Sequence, residues 1–490
     1  MTLLAIALKL TLAAEVSDFT ATTGNNAVTL KWTPPALVSI GVVIVRSTNT
    51  VPNTAPTNGT SPAAGTTLGN GVVRYNGTAT TFTDNTVVNG TRYVYRIFNK
   101  HALNLYSEGL VPTSNGLSIR PTNQTSPNPR WCYATGLSLG QQPITDPGAG
   151  VMAAGSAGKL FSVDLTGAER FRPLAFAGAI NGRLSSVPLE GRTGRFGLLG
   201  DVSGFVYFVN LATGVTVLNG NLGISLGDSI QATPGSQLNA YANAAFKAAN
   251  TGRDLVYVAT RNLLVNNNRV SALSSTTGLA VWTYQPGDLD MMNGGMLVDY
   301  TTNRVWVAAR SNSGAQASLR VIDTLTGAEV TRASLGDIDT GVVKDFASNQ
   351  AYVINSLGSA YGYDLTTGAQ AWSASVGPVT SYLYPLGNSF IASRASGQVQ
   401  RWAVSGNTAT LTWSVAVPGP SGVTVDFNNQ VLYVGSSDGT LRKIALATGT
   451  QTGSVTVSTD VVGMPTIDTT ANRLTVGTLG GDLCSYALPL

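Results

Sequence analysis

The sequence predicts an all-β chain in two parts, a small two-sheet sandwich followed by a ring of repeated four-stranded sheets. Three observations predict it. Long runs of Ala, Glu, Lys and Leu are missing, and only 11% of the 490 residues are charged. From about residue 16 to residue 121, alternating apolar and polar residues are broken by turns rich in Asn, Gly and Pro, the pattern of half-buried strands. From about Val151 onward, a β-rich phrase ends seven times in a turn read as Thr-Thr-Gly, Leu-Thr-Gly, Ala-Thr-Gly or Ser-Gly, at Gly167, Gly214, Gly278, Gly327, Gly368, Gly406 and Gly449. The gaps of 47, 64, 49, 41, 38 and 43 residues fit one four-stranded β-propeller blade each.

Residues 1–15 form an N-terminal extension. Leu4, Ile6, Leu8, Leu10 and Leu12 share one parity and Ala5, Ala7, Lys9 and Thr11 the other, which is the period of a strand buried on one face. The segment is shorter than the about 20 residues a membrane-spanning helix needs. It also lacks the basic start of a signal peptide and carries Lys9 inside its apolar run. Such a strand requires a sheet to join, either in the same molecule or, by strand addition, in a neighbouring copy.

Residues 16–121 contain two informative phrases. VSDFTATTGNNAVTLKWTPP places Trp32 on a strand that ends in a Pro-Pro turn, and NGTRYVYRIFNK places Tyr93, Tyr95 and Ile97 on one strand face. Both phrases resemble a fibronectin type III domain, whose early tryptophan and late Tyr-x-Tyr strand pack across a two-sheet sandwich. The resemblance covers about 105 residues and implies a module that spaces, joins or binds. TVPNTAPTNGTSPAAGTTLGNG, between the phrases, reads as a solvated loop. Four Asn-x-Thr sequons, at Asn58, Asn76, Asn89 and Asn123, lie in or beside this domain. Residues 122–130 read as a Pro-rich linker, and residues 131–490 as the propeller.

Within the repeats, an Asp and an Asn four residues apart bracket the first hairpin at Asp299/Asn303, Asp345/Asn349 and Asp468/Asn472, where they are expected to cap turns. Trp282 and Trp372 stand four residues after a turn glycine, and Phe171 holds the same offset elsewhere. A ring there can lie over a turn and pack between neighbouring blades. The arrangement Asp-x-x-Thr-Gly-x-x-x-Trp resembles the repeat of quinoprotein-like propellers, a family that includes alcohol dehydrogenases carrying pyrroloquinoline quinone and the outer-membrane assembly lipoprotein BamB. This resemblance spans about 360 residues and implies the fold far more than an activity.

The chain ends on NRLTVGTLGGDLCSYALPL, so its last blade lacks an outer strand. PRWCYATG, just after the linker, is the expected donor, which gives eight blades with the last one shared by both ends. An unpaired edge would otherwise remain exposed. That arrangement sets Cys132 and Cys484, the two cysteines of the chain, on adjacent strands. A disulfide is expected, with two buried free thiols as the alternative. A disulfide implies an oxidising compartment, and with the Thr, Ser, Asn and Gly-rich composition it points to an extracellular or cell-surface location.

The sole histidine, His101, lies in the first domain and reads as a loop residue, so histidine-dependent nucleophilic catalysis in the propeller is excluded. No CxxCH, adjacent cysteine pair, Cys/His cluster or Ser-x-Asp-x-Gly-x-Thr-Trp box is present. The absent cysteine pair argues against the quinone enzymes that the resembled family includes. Asp228 and the pairs Asp288/Asp290 and Asp337/Asp339 each follow the last strand of a blade. They read as solvated loops, with a calcium site at the channel mouth as the alternative; no other cofactor is expected. Net charge is +4 without a run of Lys or Arg, which excludes a nucleic-acid stripe or a polybasic membrane patch. The expectation is a non-enzymatic secreted or surface protein, structural or adhesive, that self-associates or binds a receptor, with a fibre built through its N-terminal strand. Alternatives are a BamB-like envelope scaffold, a phage or virion surface protein, and a degenerate propeller enzyme.

Overall fold

The computed structural model describes residues 14–36, 39–48, 50–89, 91–110, 117–119, 129–218, 223–311 and 316–490. Leu4, Ile6, Leu8, Leu10 and Leu12 lie outside the described residues. The described chain is almost wholly β. Its first part is two facing sheets. One holds Ser17–Gly24, Ala27–Thr33 and Thr81–Asp84; the other is built on Gly41–Thr48, Gly71–Gly77 and Tyr93–His101. Alternation along these strands sends Leu30, Trp32, Ile44, Tyr95 and Ile97 into one shared core, each at most 4% exposed. Trp32 meets Tyr75 across the sandwich at 5.8 Å between ring centroids. His101 differs from the loop expectation: it ends the strand Tyr93–His101 and is buried, with its Nε2 3.3 Å from Asn99 Nδ2.

From Pro129 onward the described strands form seven sheets, all built of antiparallel meanders. Five have four strands, one has five, and one has eight. The sheet of Val423–Asp426, Val431–Gly435, Thr440–Ala445 and Gln451–Thr456 shows the plain form. The eight-stranded sheet is two such meanders, 343–375 and 384–416, joined by a parallel bridge from Ser373 to Thr408. First strands of neighbouring meanders touch: Ile144–Asp146 meets Ser185–Pro188 on one side and Thr466–Asp468 on the other. The long gap before Gly278 has a cause invisible to the strand pattern. Ala244–Ala249 is a short helix capped by Asn243, whose Oδ1 accepts from Phe246 N at 3.1 Å, and Phe246 is buried beneath it.

The two ends of the propeller segment meet in one sheet. Pro129–Ala134 pairs antiparallel with Asp482–Ala487, so that Cys132 lies opposite Cys484 and the two form a disulfide across a separation of 352 residues. The sandwich docks on this seam. Thr23 Oγ1 donates to Cys132 O at 2.5 Å. Arg92 of the sandwich bonds Glu169 through Nε (3.0 Å to each oxygen) and Nη2 (2.7 Å), and Tyr133 OH donates to the same carboxylate. Arg92 and Glu169 are 7% and 4% exposed. A buried ion pair holds its place only when its geometry and added hydrogen bonds offset desolvation, and Tyr133 supplies that third contact.

Four rings tie neighbouring sheets together, each covering the turn of the following meander. Trp131, Phe171, Trp282 and Trp413 lie against Gly167, Gly214, Gly327 and Gly449 respectively. Gly327 shows why the turn needs glycine. Its φ is +74°, and a Cβ there would fall 2.9 Å from the Trp282 ring, so both backbone conformation and cover forbid a side chain. The indole N–H groups of Trp131, Trp282 and Trp413 donate to the carbonyls of Leu165, Thr324 and Leu446 at 3.1, 2.8 and 2.9 Å. Trp372 behaves differently. It lies over Gly362 of its own sheet, stacks on Phe390 at 5.5 Å and 8°, and donates to Gln350 Oε1 at 2.8 Å. The Asp/Asn brackets cap turns: Asp468 accepts from Ala471 N at 3.0 Å, and Asn303, Asn349 and Asn472 take φ values near +52°. Asp468 also accepts from Gly148 N at 2.8 Å and so links the last meander to the first.

Candidate functional site in the central cavity

Before each first strand the chain runs through a short lead-in. Buried apolar residues anchor several of these segments: Leu139, Ile180, Ile230, Leu289 and Ile338. Residues just after the anchors line a cavity of about 490 Å³, with Gln141, Gln142, Arg183, Asp339, Thr380 and Tyr382 supplying most of its chemistry. A second space of about 270 Å³ shares Gln141, Gln142, Arg183, Thr380 and Ser381 with the first. Neighbouring lead-ins crowd one another. Gly295 bridges Gly341, and at Gly341 (φ +91°) a Cβ would lie 2.3 Å from Gly295 N. Glycine there lets the backbones close the wall.

Arg183 stands between the two spaces. It leaves the lead-in at 181–184 and reaches the lead-in at 379–382, where Nη2 donates to Ser381 Oγ at 3.0 Å and the guanidinium lies 4.2 Å from the Tyr382 ring centroid. Part of its surface stays open to the cavity. Burial within the ring pushes Arg183 below its ordinary pKa, with Tyr382 acting in the opposite sense. Burial also raises the Tyr382 phenol. Both polar partners of this cation are neutral hydroxyl or ring groups. Sequence reasoning missed Arg183. The available signal was its position: it is the one basic residue among the short stretches that lead into the first strands.

The acidic loops are occupied by the chain's own donors. Asp339 takes Arg310 through Nε and Nη2 at 2.8 and 3.1 Å, and Asn293 Nδ2 at 2.7 Å. Burial opposes its ionisation, yet the Arg310 and Asn293 bonds hold its carboxyl below the ordinary value. Arg310 is raised in turn, first by the Asp339 hydrogen bond and charge. Asp288 pairs with Arg320 at 2.9 Å, and Asp228 with Arg269 at 2.8 Å. Asp337 Oδ1 accepts from Ser311 N at 2.7 Å, and Asp290, fully buried, accepts from Met291 N at 2.6 Å. Of these carboxylates only Asp339 reaches the cavity lining. Among the described residues no group of three ligating side chains could hold a metal ion. Three of the five carboxylates, Asp228, Asp288 and Asp339, are thus paired with arginine.

These sheets around a central cavity define a β-propeller, and part of it carries a BamB-like repeat. The family described as "Outer membrane protein assembly factor BamB" matches residues 356–487. BamB from Moraxella catarrhalis is similar in structure at a TM-score of 0.53, with 17% identity over 74% of this chain and 100% of that one. A computationally designed protein, Ika8, is similar at a TM-score of 0.54, with 15% identity over 72% of this chain and 98% of that one. No curated protein matches the sequence. No helix among the described residues is long and apolar enough to cross a membrane.

Proposed function

We propose that this chain is a non-enzymatic binding scaffold, an eight-bladed propeller closed by a shared last blade and carrying a fibronectin type III-like sandwich. Its work is to hold protein partners and, through residues 1–15, further copies of itself. The observation that carries this reading is the Arg92–Glu169–Tyr133 lock at the seam. A module tethered only by a linker would sample many orientations; a buried charge pair fixes this one against the closing sheet and presents both domains as one surface. The match to a family described as an outer membrane protein assembly factor supports a role in assembly. Engagement of the acidic loops by Arg269, Arg310 and Arg320 supports a structural use of those carboxylates. The Cys132–Cys484 bond favours an extracellular or surface-exposed setting.

Sedimentation of the full chain and of a variant lacking residues 1–13, over a range of concentrations, tests the assembly role. The full chain is expected to form concentration-dependent oligomers and the truncated one to remain monomeric. Monomers in both would remove self-association and leave partner binding by the propeller and sandwich surfaces.

A further inference from the structure

We propose that the central cavity binds a small organic monocarboxylate, held by Arg183. A half-buried cation is stabilised when an anion meets it, and the partners that Arg183 has here, Ser381 Oγ and the Tyr382 ring, carry no charge. The carboxylate in the lining, Asp339, is taken by the Arg310 fork and by Asn293. The larger space thus keeps one positive charge without a matching negative one.

The shape of that charge selects the ligand. Guanidinium carries five N–H donors in a plane; one goes to Ser381, and one face of the plane is covered by Tyr382. Arg183 lines both spaces, and the fork of a guanidinium matches a carboxylate in bidentate fashion. One cation flanked by neutral Gln141, Gln142 and Thr380 balances a monoanion, whereas a phosphate dianion would bring uncompensated charge. Leu184, Val343 and Val379 give the cavity apolar wall for the organic remainder, and its volume lies within the range of small-molecule sites. The site is inside the ring, and the scaffold reading concerns outer surfaces and the N-terminal segment, so either stands if the other fails.

Titration of the full chain with phenylacetate, acetate, inorganic phosphate and neutral 2-phenylethanol, followed by calorimetry and ligand-observed NMR, tests this. Phenylacetate is expected to saturate below about 10 mM and to bind more tightly than the other three. Arg183→Gln, with an unchanged circular dichroism spectrum, is expected to weaken it by about tenfold or more, and Arg183→Lys by less. Failure of phenylacetate to saturate, equal binding of 2-phenylethanol, tighter binding of phosphate, or undiminished affinity in Arg183→Gln would each overturn the assignment. Should Arg183→Gln not fold, Arg183→Lys decides: affinity equal to the parent removes the role of the fork.

Discussion

Two of the places where the ring departs from its regular repeat are held by different means. At the seam, Pro129–Ala134 meets Asp482–Ala487, strands with 352 residues between their paired cysteines. At the joint between the 343–375 and 384–416 meanders, neighbouring sheets fuse through the Ser373–Thr408 bridge and an aromatic column of Trp372, Phe390 and Trp402, with centroid spacings of 5.5 and 6.3 Å. Chain connectivity keeps the joint together without help, because only a short connection separates its halves. No such tether exists at the seam, where closing a loop of hundreds of residues costs conformational entropy. A covalent bond stands where connectivity is missing; packing suffices where it is present.

The sharpest way to break this contrast is to open the seam. On the loop-entropy account a 352-residue loop stabilises the fold by up to about 5–6 kcal/mol. Denaturant midpoints of the oxidised chain, the reduced chain and the Cys132→Ser/Cys484→Ser variant are expected to show a larger loss than any single substitution at the seam or the joint. A shift of the same size as that from a single joint substitution would mean that strand pairing, not the bond, closes the ring. Arg92→Met comes next. It leaves Glu169 buried without its cation and is expected to cost about 3–5 kcal/mol; adding Glu169→Leu should recover part of that. Thermal unfolding with limited proteolysis between the domains checks both, since a freed sandwich should be cut before the propeller melts.

The seam was readable from the sequence, and the joint was not. Counting turn glycines left the last meander one strand short, and the missing strand pointed to Trp131 and so to Cys132 opposite Cys484. Strand period and pairing fix neighbours even between distant segments. At the joint, the Ser-Gly turn at Gly406 looked like its six counterparts. In the structure it closes a long hairpin, Gln398–Ser405 with Thr408–Ala416, whose tip reaches the adjacent sheet. Hairpin length is set by where pairing stops, which tertiary contacts decide. Arg183 escaped for a related reason: its role depends on Ser381, which lies 198 residues away in sequence, and no local pattern announces such a partner. The helix at Ala244–Ala249 was hidden by its brevity.

The joint offers the finer test, through a pair of tryptophans that occupy the same offset after a turn glycine. Trp372 is 1% exposed and packed among Tyr352, Phe390 and Gly362, with its N–H satisfied by Gln350. Trp372→Ala is expected to cost about 3–5 kcal/mol, since the column would lose its outer ring and a cavity would remain. Trp282 is half-buried and covers the Gly327 turn while donating to Thr324 O. Its removal exposes a turn that water can then solvate, so Trp282→Ala is expected to cost about half as much. Trp282→Phe separates the ring from its hydrogen bond: it keeps the cover over Gly327 and loses only the donor, and should fall within about 1 kcal/mol of the parent. Equal losses for the two alanine variants would show that the aromatic column is no stronger than an ordinary ring over a turn, and that the joint needs no special packing to hold.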